Sequence, residues 1–182
     1  QGEPVQSTAF TPFDCYLFGN DARGVPRAER RARALEAIDT IGLDGFEFVE
    51  FTGPDPKAMH DRLEAMGFVA THVHPTTDVV RLKQGDISFL VHRSAKGQAA
   101  AFAGDHGPSA NGMAFRVEDA KAAYEGALQR GAVAAPDAQG GALGDHPYIL
   151  QGIGGSLLYL IDRYGDAGSI YDGWTEIEGW RE

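Results

Sequence analysis

Cysteine is nearly absent: Cys15 stands alone in 182 residues, so neither an intrachain disulfide nor a cysteine-based zinc site is available. A reducing cytoplasm is the compartment this composition fits. Basic residues are the minority, 16 Lys and Arg against 26 Asp and Glu, for a formal net charge of -10 and a pI near 5.0. Such a field repels phosphate backbones and anionic lipid surfaces, which argues against nucleic acid or a membrane as partner. Long apolar runs are missing too, since no stretch approaches the ~20 residues that a spanning helix needs. What is present is ordinary globular material. With 43% hydrophobic and 23% charged residues, a core can form in one compact unit or in two small modules that share one.

Residues 1–25 carry Gly, Pro and Asp without a stable period and read as an irregular extension. Pro26 opens an amphipathic helix to about Ile41. Ala28, Ala32, Leu35, Ile38 and Ile41 form one apolar stripe that is expected to lie on the domain. The arginines of this stretch, Arg23, Arg27, Arg30, Arg31 and Arg33, read as a solvated helix face because the chain as a whole is acidic.

The informative feature is an internal repeat. Gly45-Phe46-Glu47-Phe48-Val49 lies over Gly112-Met113-Ala114-Phe115-Arg116, and Gly85 to Arg93 lies over Gly155 to Arg163. In each copy a β-rich run (45–51, 112–117) precedes a helix with one apolar face. Met59, Leu63 and Met66 make that face in the first copy; Ala120, Tyr124, Ala127 and Leu128 make it in the second. A strand follows (about 68–74 and 132–136), and two more extended runs meet at a glycine turn. Each copy is βαβββ, too small to bury both faces of its own sheet, so the two are expected to pair in an α+β domain of about eight strands around a shared cleft. The expected boundaries are an extension at 1–41, a domain at 42–165 with modules at 44–93 and 111–163, and a C-terminal segment at 166–182.

Paired βαβββ modules resemble the vicinal oxygen chelate superfamily of glyoxalase I, extradiol dioxygenases and bleomycin-resistance proteins. Within it, three strings look like 4-hydroxyphenylpyruvate dioxygenases: Gly42 to Phe51, His106 to Val117, and Gly152 to Gly155 running into Tyr159 to Gly165. With Ser169-Ile170-Tyr171-Asp172 they extend in order from 42 to about 175. The resemblance implies two such domains in the whole enzyme, with Fe(II) held in the second by two histidines and a glutamate. It makes this chain the first, non-metal half, whose partner is its own C-terminal catalytic domain beyond Glu182, and which is expected to form a homo-oligomer. Gly45 and Gly112 align with the histidines and Tyr159 with the glutamate, and Phe89 holds the corresponding last-strand place in the first module. None of these supplies a ligand for a facial Fe(II) site. The expectation is therefore no catalytic, cofactor-binding or metal-binding residue in this chain, and a cleft given over to packing.

Other constellations have plainer readings. His72 and His74 are two apart on a strand and could share a metal with Glu47 or Glu50, but read as surface histidines beside Pro75. His92 and His106 read as hydrogen-bonded or solvent-facing imidazoles. Gly152-Ile153-Gly154-Gly155 is a turn rather than a phosphate nest, and Ser109 and Ser156 lie outside any nucleophile elbow. Glu47 and Glu50 fall on opposite strand faces unless a bulge intervenes. Phe46, Phe48, Phe51, Phe89, Phe115 and Tyr159 could line a pocket for an aromatic ligand, and read first as core. The rival function is a stand-alone binding protein of this fold for an aromatic small molecule, which a large empty cleft would favour.

Overall fold

The computed structural model describes residues 26, 28, 29, 32, 41–93, 96–135 and 141–178. Cys15, the five arginines and most of the helix expected at 26–41 lie outside the described residues. Of the described stripe positions Ala28 and Ala32 are exposed, and only Ile41 is buried.

The elements are β1 (Leu43–Thr52), α1 (Pro56–Ala65), β2 (Val69–Val73), β3 (Val79–Gln84), β4 (Ile87–His92), α2 (Gly97–His106), β5 (Ser109–Val117), α3 (Ala120–Gln129), β6 (Ile149–Gln151), β7 (Leu157–Ile161) and β8 (Thr175–Glu176). All eight strands join one sheet in the order β6-β7-β5-β1-β4-β3-β2-β8. The repeat is visible in the pairing. Each leading strand runs parallel to the last strand of its own copy, β1 with β4 and β5 with β7. The two leading strands meet antiparallel, with Phe48 opposite Ala114 and Glu50 opposite Gly112.

Local chemistry sets the helices. Asp55 accepts from the Ala58 N–H at 2.9 Å and Pro56 opens α1; Asp119 accepts from the Ala122 N–H at 2.8 Å at the start of α3, each satisfying an orphan donor of the first turn. Helix α1 buries Leu63 against Phe68, Leu82 and Val91, while Met66, expected on its apolar face, is 62% exposed at the C-cap. Helix α3 buries Ala120, Ala123 and Ala127 against Phe115, Leu158 and Leu160. The opposite face of the sheet forms a third core, in which Val79 of β3 and Ile149 of β6 share one cluster with Phe48, Leu90 and Tyr159. Four strands separate β3 from β6 in the sheet order, so the sheet must curl to bring them together. That concave face is the shared cleft.

Four expectations are corrected. Of the second-copy strand expected at 132–136, the described residues 132–135 hold a single bridge between Ala134 and Leu150, and the eighth strand is β8, which pairs with β2. Helix α2 had no signal in the apolar period. Phe89 is not the counterpart of Tyr159: its ring packs on Phe51 and Phe68 at 5.0 and 4.5 Å on the α1 side, whereas Tyr159 lies 5.3 Å from Phe48 on the concave side. A one-residue slip in aligning the last strands moves a side chain to the other face. The six aromatic residues therefore divide between faces and line no common pocket. Phe46 packs on Phe115 at 4.9 Å and is 60% exposed.

Candidate functional site

Four side chains from four strands converge at the centre of the concave face. Glu50 is fully buried in β1. Its Oε1 accepts from His92 Nε2 at 2.5 Å and from Asn111 Nδ2 at 2.6 Å, and its Oε2 accepts from the Tyr159 hydroxyl at 2.6 Å. His92, Asn111 and Tyr159 are themselves buried. A carboxylate taken out of water costs several kcal/mol unless its lone pairs are matched, and here they are matched by three donors. Burial, and then the neighbouring Glu50 charge, hold the Tyr159 phenol well above its ordinary pKa, so it serves as a neutral donor. Its oxygen in turn accepts from the Ala142 N–H at 3.1 Å, and the Asn111 amide reaches Gln98 of α2 at 3.2 Å.

The β1 bulges explain the carboxylates. Register shifts fall between Leu43 and Phe46 and between Phe46 and Phe48, and such bulges turn an extra residue toward one face. Glu47 is buried despite its odd spacing from Glu50. It pairs with Arg116 Nε at 2.6 Å, and its charge adds to burial in raising the Tyr171 phenol. The Tyr171 hydroxyl makes no hydrogen bond of good geometry, but its ring carries the Arg81 guanidinium at 3.6 Å. The two glutamates thus serve separate networks, and neither is poised as an acid-base partner of the other.

The positions aligned with iron ligands are not equivalent in space. Gly112 and Tyr159 meet around Glu50: a Cβ on Gly112 would stand 2.6 Å from Glu50 Oε2 and 3.0 Å from Tyr159 Cε2. Gly45 lies in the first bulge, exposed, with nothing within 4 Å of an added Cβ but with a φ of 92° that disfavours any side chain. The space an imidazole would take at 112 is occupied by the Glu50 carboxylate. One imidazole and one carboxylate in direct contact do not make the two-imidazole, one-carboxylate set with open positions that Fe(II) requires, and the described residues contain no group of three or more His, Cys, Asp or Glu able to hold a metal. The residues present do not fit iron.

The remaining histidines separate. His74 Nδ1 accepts from the Thr76 and Thr77 N–H groups at 3.2 and 3.0 Å, and His72 lies opposite Glu176 in the β2–β8 pair. His106 contacts the Gly154 carbonyl at 3.0 Å, and Gln98 donates to the Gly155 carbonyl at 2.7 Å. The 152–155 turn is thus held by α2 through its carbonyls, opposite in sense to an anion nest. Sequence reasoning missed the Glu50 network because its members sit at 50, 92, 111 and 159. The available signal was polar residues inside strands, above all a glutamate within Phe46 to Phe51.

A curled eight-stranded sheet of two βαβββ copies with antiparallel leading strands defines a vicinal-oxygen-chelate domain of the glyoxalase-like class. Residues 38–175 match the family model described as hydroxyphenylpyruvate dioxygenase, HPPD, N-terminal, and the chain belongs to that family. It is 46% identical over 129 residues to a 4-hydroxyphenylpyruvate dioxygenase of Legionella pneumophila strain Corby, covering 71% of this chain and 36% of that protein. It is 45% identical over 132 residues to Protein MelA of Shewanella colwelliana, covering 72% and 37%. A solved xylose isomerase-like TIM barrel/4-hydroxyphenylpyruvate dioxygenase fusion protein superposes at TM-score 0.63 with 25% identity, over 77% of this chain and 22% of that one. The chain spans little more than a third of the curated dioxygenase relatives it matches. No helix of the described residues is long and apolar enough to cross a membrane.

Proposed function

We propose that this domain is the non-catalytic N-terminal half of a cytoplasmic enzyme of tyrosine catabolism that converts 4-hydroxyphenylpyruvate and dioxygen to homogentisate and carbon dioxide. In this reading Fe(II) is held by a separate C-terminal domain, where the 2-oxo acid and dioxygen react, and this half stabilises that partner. The observation that carries it is the Glu50 network: the cleft that holds metal in related folds is closed by a carboxylate with three donors on it. The names of the relatives support the substrate, and the N-terminal family model supports the place in the chain. A 4-hydroxymandelate-forming relative of the same organisation would differ in second-half residues.

The rival reading, a stand-alone protein binding an aromatic molecule in the central cleft, needs open space where Phe48, Glu50 and Tyr159 are buried together. Oxygen uptake with 4-hydroxyphenylpyruvate and Fe(II) tests the proposal. The chain alone should consume no oxygen above the protein-free rate, and the chain joined to such a C-terminal domain should consume it with carbon dioxide release. Turnover by the 182-residue chain would sink the reading.

A further inference from the structure

Among the described residues six large hydrophobic side chains are exposed: Phe46, Met66, Val69 and Ile87 in the first copy, and Val133 and Ile153 in the second. The strand pairing shows what the first four share. Strand β1 runs parallel to β4, and β3 runs antiparallel to both β4 and β2, so the starts of β1, β2 and β4 and the end of β3 form one end of the sheet. Ile87 and Val69 are the first residues of β4 and β2, and Phe46 lies in the first half of β1. Met66 caps α1 beside them: Gln84, the last residue of β3 and the Cα partner of Ile87, donates from Nε2 to the Met66 carbonyl at 3.0 Å. Val133 and Ile153 stand by the start of β7, since the Val133 carbonyl accepts from Gln151, which lies opposite Leu157. Strand β7 is parallel to β5 and so antiparallel to β1, which puts these two at the other end.

Strand β8 points the chain toward the first of these ends. It pairs antiparallel with β2, Thr175 opposite Val73 and Glu176 opposite His72, and the Ile177 N–H donates to the Thr71 carbonyl at 2.8 Å. Each step along β8 therefore moves toward Val69. Ile177 packs with Phe68 and Phe89 in the cluster beneath α1, which fixes that direction. The domain spans little more than a third of the relatives it matches, and its family model is an N-terminal one. On the two-domain reading proposed above, the catalytic half is thus tethered beside Phe46, Met66, Val69 and Ile87. A short flexible tether holds its partner at about millimolar effective concentration, so a small apolar surface is enough where free association would need a standard-sized interface.

We propose that the end of the sheet carrying Phe46, Met66, Val69 and Ile87 is the docking surface for the C-terminal catalytic domain, which covers it with an apolar face of its own. The proposal rests on the two-domain reading and adds to it the surface that is used. Removal of these side chains from water drives the contact, and the course of β8 selects this end of the sheet over the one with Val133 and Ile153.

The test follows amide hydrogen exchange by mass spectrometry in the 182-residue chain and in the same chain joined to its C-terminal catalytic domain. Exchange in segments 64–70 and 83–88 is expected to slow by at least about tenfold on joining, with the segments around Val133 and Ile153 unchanged. Met66→Lys and Ile87→Lys together, both at exposed positions, should restore the exchange of the separate chain in those segments while β5 stays protected in a folded domain; Val133→Lys should not. Equal exchange with and without the catalytic domain, slowing at Val133 and Ile153 instead, or slowing that survives the double substitution would overturn the assignment. So would slowing that appears in the 182-residue chain alone as its concentration rises, because a second copy would then be the occupant. Oxygen uptake decides the catalytic reading separately: turnover without this slowing removes the docking surface only, and slowing without turnover removes the catalytic reading only.

Discussion

Replacing Glu50 by Gln keeps the volume of the side chain and removes the anion at the centre of the sheet. The native carboxylate accepts from His92 at 2.5 Å, Asn111 at 2.6 Å and Tyr159 at 2.6 Å. A carboxamide has one oxygen for these donors and brings an NH2 group of its own. If its oxygen faces His92 and Asn111, the NH2 group meets the Tyr159 hydroxyl; in the other orientation it meets both His92 and Asn111. Either way at least one buried donor loses its acceptor, and the bonds that remain lose their charge assistance. Leaving a buried donor without its acceptor costs about 1–3 kcal/mol, which lowers Tm by roughly 2–12 °C in a domain of this size. Urea unfolding followed by tryptophan fluorescence measures it directly, since Trp174 belongs to the same core cluster. Tyr159→Phe should be strongly coupled: in the double-mutant cycle the interaction is expected at about 1–3 kcal/mol. A Glu50→Gln loss below about 1 kcal/mol, or additive behaviour with Tyr159→Phe, would refute the argument that this network closes the cleft.

Gly112→Ala places a methyl 2.6 Å from a carboxylate oxygen that cannot swing away, so it should cost about 1–3 kcal/mol in the same unfolding assay. Gly104→Ala is its opposite: the position lies within α2 with nothing within 4 Å of an added Cβ, and a gain of about 0.5–1 kcal/mol is expected. Burial lowers the pKa of His74 and His146, so the unfolded chain binds more protons than the folded one below about pH 6.5. Their contribution to stability is complete above that value and lost as pH falls through the depressed folded values. The urea midpoint should therefore fall between pH 7 and pH 5, less steeply in His146→Gln, and a steeper fall in that variant would contradict the assignment.

The fold was legible because a repeat is a global signal: two copies that cannot each bury a sheet must pair, and the antiparallel meeting of β1 with β5 is that pairing. Helix α2 escaped because its run of Gly97 to His106 has two glycines and no apolar stripe. It is held instead by long-range contacts, with Thr52 donating to the Ala99 carbonyl at 3.0 Å. Phe89 was misplaced because two similar strands can be aligned one residue out with little loss of apolar match, while the consequence for facing is complete. Gly45 was paired with Gly112 across a string identity that the β1 bulges undo. The place of the site was legible in part, since Gly112 and Tyr159 do meet at Glu50. The network itself was not, because nothing local in His92 or Asn111 says that a strand from elsewhere will deliver a carboxylate to them.

The most direct measurement is anaerobic equilibrium dialysis of the chain against Fe(II), with metal counted per chain in the native protein and in Glu50→Gln and His92→Ala. A cleft closed by hydrogen bonds predicts no stoichiometric iron in any of the three. One tightly held iron per native chain, lost in either variant, would show that Glu50 and His92 are ligands and would contradict the account.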